Sequence, residues 1–407
     1  MTTSPIVSFC VPTYNRARYL DSLLESLTQE LAGFPYSYEV FVSDNASTDA
    51  TTEVVARFEQ RLPLRYVRHA ENHGGFANFQ YVHAQALGRY VIYVADDDAI
   101  LGARVAQIVA QMEANPAIGV AYAPWKLLDL VADRDLGQFY SQDRDVVVGR
   151  GQYAELLDAI LRYRVFPEIY ICRKEMLQAV MPRVQEQAFY AFVHAAEFLQ
   201  HASVLLLQEP YYVFVTNYFA DHQRTQVGTQ EAEVAWDRYR GGLEYILGRA
   251  AGQISAQQRA VFLPRIQDMI AERMAVAVRL RVLARKNPAE TYYLAYRLKA
   301  IGAESALPVA LPLLCVQAAL DFLLTDRELN RDIRQLVCWG EFPDDLTAWI
   351  RSGSALAVHF RRSDEPLPPL DAATLVFARD GAARARLPAD SPARFISEPA
   401  LLAKFPA

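Results

Sequence analysis

The sequence predicts an α/β protein with a mostly parallel central sheet, followed by a mainly helical C-terminal region. Three observations carry this. Four short β-prone runs, at residues 6–11, 39–42, 64–67 and 90–94, are spaced through the first hundred residues. Apolar residues at helical spacing fill the intervals between them. After Asp221 the composition shifts to long stretches rich in alanine and arginine. Strands that alternate with helices pair in parallel, because each helix carries the chain back across one face of the sheet.

Each element has its own warrant. Leu20, Leu23, Leu24, Leu27 and Leu31 fall on one face of a helix. Val54, Val55, Phe58 and Leu62 repeat the pattern, with Ser47, Thr48 and Asp49 as candidate caps at its start. Residues 76–87 form a third, weaker helical stretch. Residues 101–113 read as a helix that Asn115-Pro116 ends. Residues 125–150 read as a polar, loop-rich insertion, 152–161 as a helix, 169–172 as a strand and 188–201 as a helix. Late strands are expected at 204–207 and 211–215. Residues 231–249, 256–284 and 289–301 read as helices that pack together or on the first domain. The run 307–324 is strongly apolar, but a bilayer span needs about 20 such residues. This run also carries Pro308, Pro312, Gln317 and Asp321, so it reads first as a buried or amphipathic helix, with contact to a membrane face and a true span as the alternatives. The tail from Ser363, rich in Pro, Ala and Arg, is left unassigned. The expected divisions are 1–222, 223–362 and 363–407.

Composition narrows the functions available. A chain of 407 residues has room for two or three domains and buries a large core without disulfide or metal staples. With 52% apolar and 22% charged residues, it is neither disordered nor fibrous. A formal net charge of −6 argues against a broad nucleic-acid surface, and no nucleic-acid partner is expected. The four cysteines, Cys10, Cys172, Cys315 and Cys338, form no Cys-x-x-Cys pair. They favour a reducing compartment over a zinc knuckle. The opening residues MTTSPIVSFC lack a basic start and a long apolar run, so no secretory signal is expected.

Four polar motifs follow four successive strand runs, where the ligands of parallel sheets gather. The strongest is Asp96-Asp97-Asp98, directly after the run 90–94. Adjacent carboxylates repel one another and need a cation, strong hydrogen bonds or raised pKa values. Hard divalent ions take oxygen ligands, often together with substrate phosphates. An exposed acidic turn or a helix cap reads the same way. In VSDNASTD (42–49), Asp44 can accept from the N–H groups of a nucleobase and Asn45 can add a hydrogen bond, though capping alone also explains the motif. In VPTYNR (11–16), Pro12 and Thr13 can hold backbone against a nucleotide, and Tyr14 can pack on a base or ribose. Arg16 can meet a phosphate or solvent. In ENHGGFAN (71–78), the glycines permit tight backbone at a helix start. His73 and Asn78 can face a sugar or phosphate there, and Asn72 and Gly75 join the candidate contacts. Neither Gly-x-Gly-x-x-Gly nor Gly-x-x-x-x-Gly-Lys-Ser/Thr is present, which weakens dehydrogenase and ATPase readings.

Together, VPTYNR, VSDNASTD, ENHGG and ADDD (95–98) resemble the family 2 glycosyltransferases. The similarity is specific over residues 5–100 and looser to residue 220. It is closest to the abequosyltransferase-like branch of bacterial surface polysaccharide synthesis, lipopolysaccharide included. The resemblance implies a GT-A nucleotide-diphospho-sugar transferase fold for residues 1–222. It implies inverting transfer of a sugar from a nucleotide-diphosphate donor to a hydroxyl of a glycan or lipid-linked saccharide. By that resemblance, Asp44 reads the base, Thr13 lies near the nucleotide, and Asp96, Asp97 and Asp98 hold Mg²⁺ or Mn²⁺ across the diphosphate. Such a metal neutralises the charge that develops on the leaving group. A general base removes the proton from the attacking hydroxyl. Relatives carry a Glu-Asp pair just before the helix placed here at 188–201, and this sequence has none. Glu186 is nearest by position, with His194 and Glu197 as further candidates for the base. Relatives also place a histidine near the metal or diphosphate after the late strands, which makes His222 a candidate.

The arginine-rich helices after residue 230 suit an anionic lipid face, a lipid-diphosphate acceptor, a homodimer contact or plain solvation. A cytoplasmic enzyme is expected, with peripheral contact to the inner face of the bacterial plasma membrane as the open alternative. The same cleft also suits nucleotidyl transfer or nucleotide-sugar hydrolysis. The missing Glu-Asp pair leaves room for a third reading, a non-catalytic glycan-binding or assembly protein on the same scaffold.

Overall fold

β1 (Val7–Thr13) is buried along almost its whole length, as a strand covered on both faces must be. The computed structural model that contains it describes residues 4–181, 190–221, 232–233, 236–325, 328 and 331–403. These fall into two units. The first takes in the described residues of Met1–Gln226 and Asp237–Met269, the second those of Val227–Trp236 and Ile270–Ala407.

In the first unit, α1 (Ala17–Glu30) follows β1 and buries Leu20, Leu23, Leu24 and Leu27 on its inner face. β2 (Tyr38–Asp44), α2 (Thr51–Phe58), β3 (Leu64–Arg68), α3 (Gly75–Ala84) and β4 (Tyr90–Tyr93) complete the alternation that the sequence predicts. α2 buries Val54, Val55 and Phe58. β5 (Ala99–Ile100) leads into α4 (Gly102–Ala114), then β6 (Ile118–Tyr122). A Cβ on Gly102 would lie 2.1 Å from the carbonyl oxygen of Glu30, so α4 can begin there only with glycine.

Residues 125–150 differ from expectation. They hold three strands: β7 (Trp125–Asp129), β8 (Arg134–Gln138) and β9 (Val146–Val148). Every residue of β8 is exposed, so the strand has no buried face and shows no apolar alternation to read. α5 (Tyr153–Tyr163), β10 (Tyr170–Arg173), α6 (Lys174–Val180), α7 (Tyr190–His201), β11 (Ser203–Leu206) and β12 (Tyr212–Asn217) follow, then α8 (Trp236–Arg249) and α9 (Ala256–Leu283).

The large sheet runs β3-β2-β1-β4-β10-β6-β11-β9. β10 pairs antiparallel with both neighbours and β9 antiparallel with β11, while the other pairs are parallel. A smaller sheet runs β5-β12-β7-β8. The register levels the strand ends. Thr13 sits opposite Asp44, and Asp44 opposite Arg68. Cys10 sits opposite Tyr93, so the Asp96–Asp98 segment emerges beside Thr13.

The second unit is helical up to Thr325, with α10 (Pro288–Ala300) and α11 (Leu311–Thr325). Asn287 caps α10 by accepting from the Glu290 N–H. Beyond it lies an all-parallel sheet that the sequence reading does not contain. It is built from β13 (Gln335–Trp339), β14 (Ala357–Arg361), β15 (Thr374–Ala378) and β16 (Arg394–Ser397), in the order β14-β13-β15-β16. α12 (Asp344–Gly353) connects β13 to β14, and α13 (Glu398–Leu402) ends the described chain. Alternate residues face opposite sides. Leu336, Cys338, Leu375 and Phe377 pack with α11, α12 and α13. Val337, Trp339, Val376 and Ala378 pack under Leu367, Leu370 and Leu387. Most of the apolar run at 307–324 thus lies in α11, which packs Val316, Ala319, Leu320 and Leu323 against this sheet. No helix among the described residues is long and apolar enough to cross a membrane.

Candidate functional site

The segments that follow β1 and β4 meet at one acidic point. The Thr13 hydroxyl donates to Asp96 Oδ2 at 2.7 Å. Arg16, just past β1, bridges two carboxylates. Its Nη1 lies 2.7 Å from Asp96 Oδ1 and its Nη2 lies 2.6 Å from Asp97 Oδ2. Asp96 and Asp97 are only 3% and 8% exposed. Burial pushes the Asp96 carboxyl up to about 6, with Arg16 opposing the rise and Asp97 adding to it. Two buried carboxylates thus share one guanidinium and retain a net negative charge.

Asp98 has a different role. Its Oδ2 accepts from the Tyr212 hydroxyl at 2.9 Å and its Oδ1 from the Val215 N–H at 3.0 Å. Tyr212 in turn accepts from the Ala95 N–H at 3.0 Å. Asp98, the third candidate for the metal, thus fastens the β4 loop to β12.

The Asp44 carboxylate, fully buried at the end of β2, accepts from the Ser47 N–H at 2.8 Å and the Tyr66 hydroxyl at 2.7 Å, and Arg68 stands 3.6 Å away. Burial and the hydrogen bond to Asp44 push the Tyr66 phenol up to about 12, so it stays a donor. Asn45, Asn72 and Asn78 were expected on the nucleotide sugar, and the structure gives their amides to the scaffold. Asn45 donates to Asn72 Oδ1 at 2.7 Å and to the Gly74 carbonyl at 3.1 Å, and accepts from the His73 N–H at 3.0 Å. Asn72 Oδ1 also accepts from the Gly74 N–H at 2.8 Å. Asn78 accepts from the Ser43 hydroxyl at 2.6 Å and donates to the Ser43 carbonyl at 2.9 Å. Gly74 holds φ +88° before α3, a value that favours glycine. A Cβ on Gly75 would meet no atom within 4 Å, so its backbone is bare. Tyr14 is 42% exposed, and Pro12 is half-buried beside it.

Sequence reasoning missed several residues that hold these loops. Asn15, at φ +51°, accepts from the Thr48 N–H at 2.7 Å, and its own N–H donates to Ser47 Oγ at 2.8 Å. The signal for it is the asparagine itself, which tolerates left-handed backbone. Asp49, read as a cap for α2, serves two helices: it accepts from the Thr51 N–H at 3.2 Å and from the Ala17 N–H, at the start of α1, at 2.9 Å. Tyr212 lies in a late strand with no motif to mark it.

Residues 8–162 match the family model described as Glycosyl transferase family 2. This segment is similar to the family 2 glycosyltransferases. Over 97 residues the chain is 39% identical to the abequosyltransferase RfbV of Salmonella typhimurium, a match that covers 23% of this chain and 29% of that protein. Over 95 residues it is 38% identical to the poly(ribitol-phosphate) beta-N-acetylglucosaminyltransferase TarS of Staphylococcus aureus, covering 23% and 16%. The chain therefore spans less than a third of the length of these curated relatives. The crystal structure of S. aureus TarS 1-349 superposes with a TM-score of 0.46 at 20% identity, over 73% of this chain and 88% of that one. The matched segment begins within β1 and runs through α5. It contains all four strand-end motifs and the parallel pairs among β1 to β4 that level them.

Of the other candidates for the base and metal, His194 and Glu197 lie among the described residues. His194 is 2% exposed on α7, edge-on to Phe198. Burial, with His83 nearby, pushes its imidazole down to about 3. His194 is thus packed among core residues. Glu197 accepts from the Tyr245 hydroxyl at 2.5 Å and from Arg249 at 3.3 Å. It ties α7 to α8 within the first unit. Glu186 and His222 lie outside the described residues.

Proposed function

We propose that the chain is an inverting glycosyltransferase of bacterial surface polysaccharide synthesis. It moves a sugar from a nucleotide-diphosphate donor to a hydroxyl of a glycan or lipid-linked saccharide. The observation that supports this most is the meeting of Thr13, Arg16, Asp96 and Asp97 at the level end of a parallel sheet, inside the segment similar to the family 2 glycosyltransferases.

The residues fit a divalent metal. Asp96 and Asp97 offer hard oxygen donors in a buried, net negative pair. Among the described residues no group of three or more His, Cys, Asp or Glu stands ready to hold an ion. A two-carboxylate site suits Mg²⁺ or Mn²⁺, which take their remaining ligands from substrate phosphates and water. When bound, the ion would neutralise charge on the departing diphosphate. The chain's own groups supply the rest. Asp44, held by Ser47 and Tyr66 beside Arg68 at the end of β2, marks the place we assign to the base. Tyr14 offers an exposed ring to the base or ribose, and the bare Gly75 backbone lets a sugar approach. Arg16 places a cation beside the position of a diphosphate. Glu186 is the base we propose, since His194 is core and Glu197 is clamped. It takes the proton of the acceptor hydroxyl as that oxygen bonds to the anomeric carbon. The bond to the diphosphate oxygen breaks and its electron pair leaves with the nucleoside diphosphate, inverting the centre.

We place the reaction on the cytoplasmic side of the bacterial membrane, with any membrane contact peripheral. In support, no disulfide joins the four cysteines.

Calorimetric titration with UDP, CDP, dTDP and GDP, each with Mn²⁺ and with EDTA, tests the reading. One nucleotide is expected to bind tightly only with metal, and Asp96→Asn should abolish that binding. Absence of binding to all four, in both conditions, sinks it.

A further inference from the structure

The second unit contains a cavity that the transfer reaction does not use. Its volume is about 560 Å³, and its walls are Trp339, the proline- and leucine-rich segment 365–370, and residues 386–392. That is the size of a small-molecule site. Its position follows from the topology. The chain leaves β13, crosses one face as α12, whose Leu346 and Ile350 pack there, and returns as β14. It then crosses the opposite face, where Leu367 and Leu370 pack, to reach β15. The crossover changes sides between β13 and β15, and parallel sheets bind ligands beyond the carboxyl ends of strands at such a point. Trp339 is the last residue of β13.

Two of the lining residues carry a buried polar atom without a partner in the protein. Trp339 is 5% exposed, and its buried Nε1–H has no acceptor; the Ser391 hydroxyl, also buried, has no partner. Native structures rarely leave such groups unsatisfied. Arg386 lies over the Trp339 ring at 4.6 Å and donates to the Ser363 carbonyl at 2.9 Å. Glu365 and Asp390 add two carboxylates against that one guanidinium. The net negative lining disfavours phosphates and carboxylates. Donors and acceptors both line the wall, and between them lie proline rings and leucines. A ligand that matches has many hydroxyls, no charge and apolar C–H faces.

We propose that this cavity binds a neutral saccharide. The site lies wholly within the second unit and stands whether or not the first unit transfers sugar.

The test uses the full chain. A printed array of neutral saccharides, from monosaccharides to tetrasaccharides of glucose, galactose, mannose, rhamnose and N-acetylglucosamine, identifies the best binder. Calorimetry with that binder then compares wild type with Arg386→Ala, Ser391→Trp and the doubly substituted Asp96→Asn/Asp97→Asn. Binding is expected to weaken at least tenfold in Arg386→Ala and Ser391→Trp and to stay unchanged in the double variant. Arg386 is exposed, so its loss leaves the fold intact if Ser391→Trp does not fold. Failure of every neutral saccharide to bind overturns the proposal. So does binding that survives Arg386→Ala but disappears in the aspartate variant, because the sugar would then sit in the first unit. Nucleotide binding, read separately, reports on the first unit alone.

Discussion

Replacing Arg16 by methionine probes the acidic pair most directly. In the structure one guanidinium serves two carboxylates, Asp96 and Asp97, that are 3% and 8% exposed. Without it, two negative charges stand side by side in a buried place. Breaking a buried ion pair costs about 3–5 kcal/mol. The Arg16 side chain is 30% exposed, so water already screens part of the interaction, and about 2 kcal/mol is the expected loss. For a unit of this size that lowers Tm by roughly 4–8 °C. A divalent cation restores the missing charge. At a hundredfold excess over its Kd, a ligand of the folded state alone contributes about 2.7 kcal/mol. Thermal unfolding in EDTA and in Mn²⁺ reads both effects. Arg16→Met is expected to melt below wild type in EDTA and to gain more from Mn²⁺ than wild type does. A variant that melts with wild type in EDTA and ignores Mn²⁺ would falsify the account of Asp96 and Asp97 as a cation site.

Three further substitutions separate scaffold from site. Asp98→Ala leaves the Tyr212 hydroxyl and the Val215 N–H without their acceptor, a loss of about 1–3 kcal/mol. It is expected to lower Tm yet keep metal-dependent nucleotide binding; loss of that binding at unchanged Tm would make Asp98 a ligand after all. Asn45→Ala releases the loop at residues 71–75, so amide exchange at His73 and Gly74 is expected to quicken; unchanged protection refutes the clamp. His83 is held at about 4 by burial, below its ordinary 6.5. The unfolded chain takes up this proton from pH 6.5 downward and the folded chain only near 4, so stability is lost as pH falls between them, by about 2 kcal/mol at pH 5. The urea midpoint should drop between pH 7 and 5, and drop less in His83→Leu; an equal drop in both assigns the acid sensitivity elsewhere.

The sequence exposes the first half of the fold because its helices are one-sided. Leu20, Leu23, Leu24 and Leu27 mark α1 by spacing alone, and each is fully buried. The second sheet hides for the opposite reason. β15, Thr374–Ala378, is buried at every position, so it has no alternation, and periodicity cannot separate such a run from a piece of helix. Proline-rich connections on either side then suggest a tail. β8 fails for want of any buried residue. At the site, the motifs mark the place correctly as the strand ends, but residue type does not divide the labour. Asn45, Asn72 and Asn78 carry the same amide whether they meet a sugar or a neighbouring loop, and only the contacts show the second.

That division says what kind of cleft this is. The loop after β1 is fastened to the loop after β2 by Asn15, Ser47 and Asp49. The loop after β2 is fastened to the loop after β3 by Asn45 and Asn72. The loop after β4 is fastened to β1 by Thr13 and to β12 by Asp98. Each loop satisfies the backbone of the next, so the floor is fixed before any ligand arrives and little ordering entropy remains to be lost on binding. Capacity for a ligand is then concentrated in the Asp96–Asp97 pair and Arg16, which bond one another, in the Tyr14 ring and in the bare backbone at Gly75. A substitution in the fastening set acts on the placement of those groups, so its effect on donor binding and on stability should move together, whereas Asp96 and Asp97 can lose the donor while the fold stands.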